Sequence, residues 1–286
     1  MKFSSITCIT KKTMISGAAG AVGALIGELI CEIFMDMGRG TGTFLNALIH
    51  VSIWTGIISL SIALGLIVAQ NIYFKKAPFS ISMIKAGIRG VLTGAFVGGM
   101  AQILFSFTSN ISELIEISSR IFCWGIFGMG SGWGISLFVP NYPRRSAMIA
   151  GFIGGAIGGS FFRFTFSLFP GNVGRLIGVA VLGLFIGLMI AYIEELVREA
   201  WLTIIWSKKE KVIISLGSKP IVLGSSSEAD VYLPKERNYP PVTAIIKLEN
   251  SRITIENKIN NQITELRNGS KLFIGSIEVV VNSKCD

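Results

Sequence analysis

The residues that could do chemistry in this sequence are few, and most of them stand inside apolar runs. Glu28 and Glu32 are one helical turn apart and share a helix face. Arg163 follows Gly151 at nearly the offset at which Glu28 follows Gly17, and Gln102 stands at a corresponding depth in a run between them. Ionisable groups in a membrane are costly and by default face the bundle interior with a partner. Glu28, Glu32, Gln102 and Arg163 are therefore the intramembrane polar candidates, with a Glu28/Glu32–Arg163 pair expected. Each lies in the outer half of its run, so structural pairing, or snorkelling to the headgroups, competes with a transport role.

Catalysis finds no support. His50 is the only histidine, and it opens an apolar run, where an interfacial position suits it better than the role of a base. Cys8, Cys31, Cys123 and Cys285 have no paired spacing, so neither a metal site nor a disulfide framework is expected. A rhomboid-type intramembrane protease needs a Ser in a GxSG turn and a later His. Ser131 sits in Met129-Gly-Ser-Gly132, which lacks the first Gly, and no His follows it. Walker A, HExxH, DFG and nucleophile-elbow patterns do not occur. The expectation is a protein with no catalytic residues, no metal and no cofactor.

The elements that must position these residues follow from composition. The 286 residues are 51% hydrophobic and 15% charged, against about a quarter charged in a soluble domain. Of 33 Gly, 29 lie in residues 1–206, as do all five Trp, whereas 12 of the 26 Lys and Arg fall in the last 80 residues. A long apolar part is thus followed by a short polar one. Crossing a hydrocarbon core takes about 20 apolar residues, and six segments qualify: 13–35, 45–70, 84–108, 119–139, 146–168 and 174–197. Pro78, Pro140, Pro143 and Pro170 fall between them. Residues 1–35 also read as a signal peptide with Lys11 and Lys12 as its basic start, but the segment fits an internal repeat, which favours a span.

Basic residues stay on the cytoplasmic side. Lys2, Lys11, Lys12, Lys75, Lys76, Lys85, Arg89, Arg144, Arg145 and Arg198 fall on one side, against Arg39, Arg120, Arg163 and Arg175 on the other. That alternation predicts a multi-pass inner or plasma membrane protein with both termini in the cytoplasm. The net charge of +9 then reflects topology and attraction to anionic headgroups; nucleic acid is not expected, since no basic run is interleaved with aromatics.

The spans pair into three similar hairpins. Their first helices open with Met14-Ile-Ser-Gly17-Ala-Ala-Gly20, Ile84-Lys-Ala-Gly87-Ile-Arg-Gly90 and Met148-Ile-Ala-Gly151-Phe-Ile-Gly154. Glycines step by three and four along Gly87, Gly90, Gly94 and Gly98, along Gly151, Gly155 and Gly159, and in Gly128/Gly132 and Gly183/Gly187. Such glycine zippers let helix backbones approach closely in lipid, where little hydrophobic force drives packing. A solute path lined by glycine backbone is the competing reading, and a homo-oligomer is left open.

Residues 194–206 read as an amphipathic extension of the sixth span, with Trp201 and Trp206 suited to the headgroup belt, and Lys208, Lys209 and Lys211 mark its exit. The membrane domain is therefore placed at 1–206 and a second domain at 211–286. From Val212 onward short β-branched runs alternate with turn clusters such as Gly224–Ser227, Pro240-Pro241 and Asn268-Gly269, which predicts an all-β sandwich.

Within that tail, Leu223-Gly-Ser-Ser-Ser-Glu-Ala-Asp-Val-Tyr-Leu-Pro234 and Leu266-Arg-Asn-Gly-Ser-Lys-Leu-Phe-Ile-Gly275 resemble the opening and closing motifs of the forkhead-associated (FHA) domain. The chain thus resembles a multi-pass bacterial membrane protein with a C-terminal FHA domain. The resemblance implies a phosphothreonine-binding edge built from an Arg after the first Gly and a Ser-Arg-x-His stretch. Here Ser225 takes the Arg position and Pro240-Pro-Val-Thr243 the Ser-Arg-x-His position. A phosphate needs multiple or bidentate donors, and only Ser225, Ser226, Lys235 and Arg237 remain near that edge. A degenerate FHA-like fold is expected to dock a cytosolic or membrane protein through residues 211–286. The runner-up is a transporter, channel or lipid-handling subunit regulated by that domain.

Overall fold

In this computed structural model the described residues are 2–34, 43–74, 81–108, 111–137, 139, 141–169, 171–207, 210–226, 229–233, 238–249, 252–274 and 277–284, with 2–10, 81, 82, 85, 86 and 210 described by backbone alone. Lys75, Lys76 and Arg39, which enter the orientation argument, lie outside them, as do Lys208 and Lys209.

Six helices come first: α1 (Lys2–Phe34), α2 (Phe44–Tyr73), α3 (Ile81–Thr108), α4 (Glu113–Ser136), α5 (Arg144–Leu168) and α6 (Asn172–Leu196). Among the described residues, five are long and apolar enough to cross a membrane; α4, which carries Glu113, Glu116 and Arg120 near its start, is not one of them. Each helix packs on its chain neighbours and α6 packs back on α1, which closes a ring. Ile58, Ile62, Leu182 and Ile186 are fully buried in its core. The outer surface carries exposed Leu92, Phe96, Ile149 and Phe164, an apolar coat that water would not tolerate over so wide an area.

Glycines set the helix spacing. A Cβ on Gly183 would stand 2.2 Å from the Gly20 carbonyl oxygen, and one on Gly128 2.0 Å from that of Gly151. Gly94 backs onto Ser59 and Thr55, and Gly154 onto Phe185. The α3/α4 seam is looser: Gly130 has its nearest neighbours at 3.8 Å, and Gly134 meets nothing within 4 Å.

The strands form two sheets. Strands β1 (Ala200–Ser207), β2 (Glu210–Leu216), β8 (Lys271–Ile274) and β9 (Ile277–Ser283) make one, in the order β2-β1-β9-β8. The other runs β4-β3-β5-β6-β7, from β3 (Ile221–Gly224), β4 (Val231–Tyr232), β5 (Ala244–Glu249), β6 (Arg252–Asn257) and β7 (Gln262–Leu266). All pairings are antiparallel except β3 with β4. The alternating inward residues Leu202, Ile204, Ile214, Leu223, Ile246, Val279 and Val281 share one buried cluster, as two-layer packing requires.

One boundary needs correction. Residues 200–207 do not extend α6 as an amphipathic helix; they form β1, paired to β2 and β9. Leu202 and Ile204 alternate inward with Thr203 and Ile205 outward, and two β partners settle a run too short for its period to decide. The sheet region therefore begins at Ala200, before residue 211, and Trp206 packs on its core.

Candidate functional site

Two clusters of buried charge lie at opposite ends of the α1/α6 pair. At the sheet-bearing end, Lys12 Nζ donates to both carboxylate oxygens of Glu194, at 2.6 and 2.7 Å. Arg198, one turn beyond Glu194, stands 3.6 Å from the same carboxylate and donates from Nε to Ser215 Oγ of β2 at 2.9 Å. All three charged residues are buried. The Lys12 ammonium also lies 5.7 Å from the Tyr73 and Phe74 ring centroids, a cation–π arrangement. Both cations stand near the negative end of the α6 dipole.

The same end ties the bundle to the sheets. Ile213 N–H donates to Tyr73 Oη at 3.2 Å, and Phe74 joins the sheet core. Asn141, between α4 and α5, donates to the Ser215 and Lys219 carbonyls and accepts from Lys219 N–H at 2.8 Å. Tyr142 Oη donates to the Ile190 carbonyl at 2.9 Å; burial raises the phenol pKa, which keeps it a donor. Lys284 Nζ, after β9, reaches the Leu196 carbonyl at 2.9 Å.

At the far end, Glu28 is fully buried. Trp54 Nε1 donates to Glu28 Oε2 at 2.7 Å, and Arg175 Nε stands 2.9 Å from Glu28 Oε1 in ionic contact, at an angle outside hydrogen-bond geometry. Arg175 also pairs with Glu32, whose other oxygen accepts from Asn172 Nδ2 at 3.0 Å. The expected pairing with Arg163 is therefore corrected: the partner is Arg175. Arg163 is exposed and lies 3.9 Å from Glu113 and Glu116. The reason is the ring. Helix α6 packs between α1 and α5 and so holds Arg163 of α5 away from α1, while Arg175 of α6 faces it.

Gln102 lines a cavity of about 190 Å³ with Trp54, Thr55, Trp124 and Arg120, in the loose region bounded by α2, α3 and α4. Arg120 lies over the Phe105 ring at 4.0 Å. Gln102 is thus near Trp54, though not in the charge cluster.

In the sheets, the loop after β3 is knitted to the Pro240-Pro241 segment. Ser225 N–H donates to the Pro240 carbonyl at 3.1 Å and Ser226 N–H to that of Pro241 at 3.3 Å. Ser225 Oγ donates to the Tyr239 carbonyl at 2.7 Å, and Thr243 Oγ1 to that of Pro240 at 3.3 Å. Ser225 and Thr243 are buried and Ser226 half-buried. As a group offering donors to a ligand, Ser225 is thus a correction: its hydroxyl faces inward. Lys235 and Arg237 lie outside the described residues.

The outward edge of the sheets is different. Strand β7 ends the five-stranded sheet and β8 the four-stranded one. Ile263 on β7 is 72% exposed and Phe273 on β8 73%. Ile259, in the turn before β7, is exposed too. Sequence reading missed these residues because β7 carries only one aliphatic side chain among polar ones until Leu266. Among the described residues, no group of three or more His, Cys, Asp or Glu is placed to hold a metal ion. Comparison of the chain with protein-family models, with curated proteins and with solved structures finds no match.

Proposed function

We propose that this is a six-span membrane protein, both termini cytoplasmic, that recruits a protein partner through a degenerate FHA-like sandwich fixed to its cytoplasmic face. Membrane residence draws on five apolar helices. Counting α4 as the sixth span draws on its packing: Gly132 meets Ala147, Gly128 meets Gly151, and Trp124 meets Gly155 and Gly159, so α4 runs alongside α5 from its first turn to past its middle. The observation that carries the docking role is the pair of edge strands β7 and β8, each with a single strand partner among the described residues and with Ile263 and Phe273 exposed. Unpaired edges accept an added strand, and apolar side chains beside them supply affinity. The inward-facing Ser225 and Thr243 support a module that recognises protein without phosphothreonine. The test is photocrosslinking in cells from single sites at Ile263, Phe273 and, as control, exposed Ser218 in the full chain. The proposal expects a discrete protein adduct at the first two sites and none at Ser218; adducts at none of the three, or equally at all, contradict it.

A further inference from the structure

A groove of about 820 Å³ runs between α1 and α2 and ends against the sheets. Its floor is made of small residues: a Cβ on Gly65 would stand 2.7 Å from the Ala19 carbonyl oxygen, so the two backbones lie close together. Val22, Ile26, Leu64 and Val68 stand beside that floor as walls. From Ile15 to Ile30 the groove follows α1 for about 22 Å, more than half of a hydrocarbon core of about 30 Å. It therefore suits an extended acyl chain of one leaflet. At the sheet-bearing end it is bounded by Lys11 of α1 and Lys211 of β2. The adjacent lysines of α1 divide their work, since Lys12 turns inward to Glu194 while Lys11 is exposed.

We infer that this groove holds an anionic phospholipid, with one acyl chain along α1 and α2 and its phosphate between Lys11 and Lys211. Charge complementarity identifies the occupant: two ammonium groups at the end of an apolar slot match a phosphodiester on a hydrocarbon tail, and a basic site near the headgroups selects anionic lipid. Because Lys211 comes from β2, the headgroup site is complete only with the sheets seated on the bundle. The inference rests on the membrane reading and is independent of the protein-docking one.

The test uses the full chain in detergent, stripped of lipid and titrated with phosphatidylglycerol or phosphatidylcholine of identical chains, bound lipid being counted by native mass spectrometry. Phosphatidylglycerol should bind at least about tenfold tighter to one saturable site, a preference that falls to near unity in K11Q/K211Q; Ala18→Phe, at an exposed groove residue, should weaken both lipids. Equal binding by the native chain, or an undiminished preference in K11Q/K211Q, overturns it. Should the variants misfold, a photoactivatable acyl-chain phosphatidylglycerol in liposomes decides with the native chain. Labels concentrated in 15–30 and 60–72 support the site, and labels spread over all outer helix faces refute it. Failure of the native chain to enter liposomes would instead refute the membrane reading itself.

Discussion

The two ends of the α1/α6 pair solve one problem in opposite ways. Lys12 and Glu28 are about 24 Å apart along α1, and Arg175 and Glu194 about 28 Å apart along α6, so the charges sit toward the two ends of the pair, a separation slightly under the about 30 Å of a hydrocarbon core, and leave its middle apolar. Between them, Gly20 meets Gly183 and Gly187 meets Ser16 backbone to backbone. At the sheet-bearing end the cluster holds two cations and one carboxylate, and Ser215 of β2 completes it. At the far end it holds two carboxylates and one cation, and only bundle side chains close it. Ion pairs thus fix the register of two helices whose glycine contact alone would tolerate sliding, and the first cluster also joins a second layer to the bundle.

The largest effect should come from the glycine strip that both ends depend on. Gly183→Leu drives a side chain into the Gly20 carbonyl and should cost about 3 kcal/mol or more, seen as loss of folded protein in detergent. Gly134→Leu, at an open position, should change the melting temperature little, within about 0.5 kcal/mol. Next comes Lys12→Met, which leaves the buried Glu194 with a single, more distant cation and should cost about 3 kcal/mol, the lower end for a broken buried pair. Arg175→Met, which leaves the fully buried Glu28 with the Trp54 N–H and no cation, should cost a similar amount, about 3 kcal/mol. Glu32→Gln keeps a hydrogen-bonding group at a partly exposed position and should cost about 0.5 kcal/mol. Thermal melting of the five variants side by side checks the order; a loss in Lys12→Met or Arg175→Met no larger than that in Glu32→Gln would contradict the buried pairing at that end.

Much of this was legible in the sequence, and the failures have physical causes. The apolar runs and glycine steps located all six helices, because length and small-residue spacing are local properties. Glu28 and Glu32 share a face that calls for a cation, and Arg175, not Arg163, stands there. Offset within a repeat ranks Arg163 first, whereas the partner depends on which helices touch, and α6 lies between α1 and α5. A usable signal was present: α1 reads Lys then Glu, α6 reads Arg then Glu, and antiparallel packing of the two matches every charge with its opposite. Residues 194–206 read as an amphipathic extension of the sixth span because so short a run fits either period, and β1 begins within it at Ala200. Ser225 and the Pro240–Thr243 segment share one loop cluster, and the inward turn of both hydroxyls depends on carbonyls that no motif reveals.

The central claim is that the sandwich is a fixed cap on the ring, joined through the Lys12–Glu194–Arg198–Ser215 cluster and not tethered by a loose chain. Hydrogen–deuterium exchange of the full protein tests it most directly, comparing Lys12→Met and Arg175→Met with the native chain. The account predicts faster exchange of the β2 amides around Ile213 and Ser215 in Lys12→Met, with β5 and β6 and the whole of Arg175→Met's sheet region at native rates. Unchanged β2 exchange in Lys12→Met, or equal loosening in both variants, would contradict it.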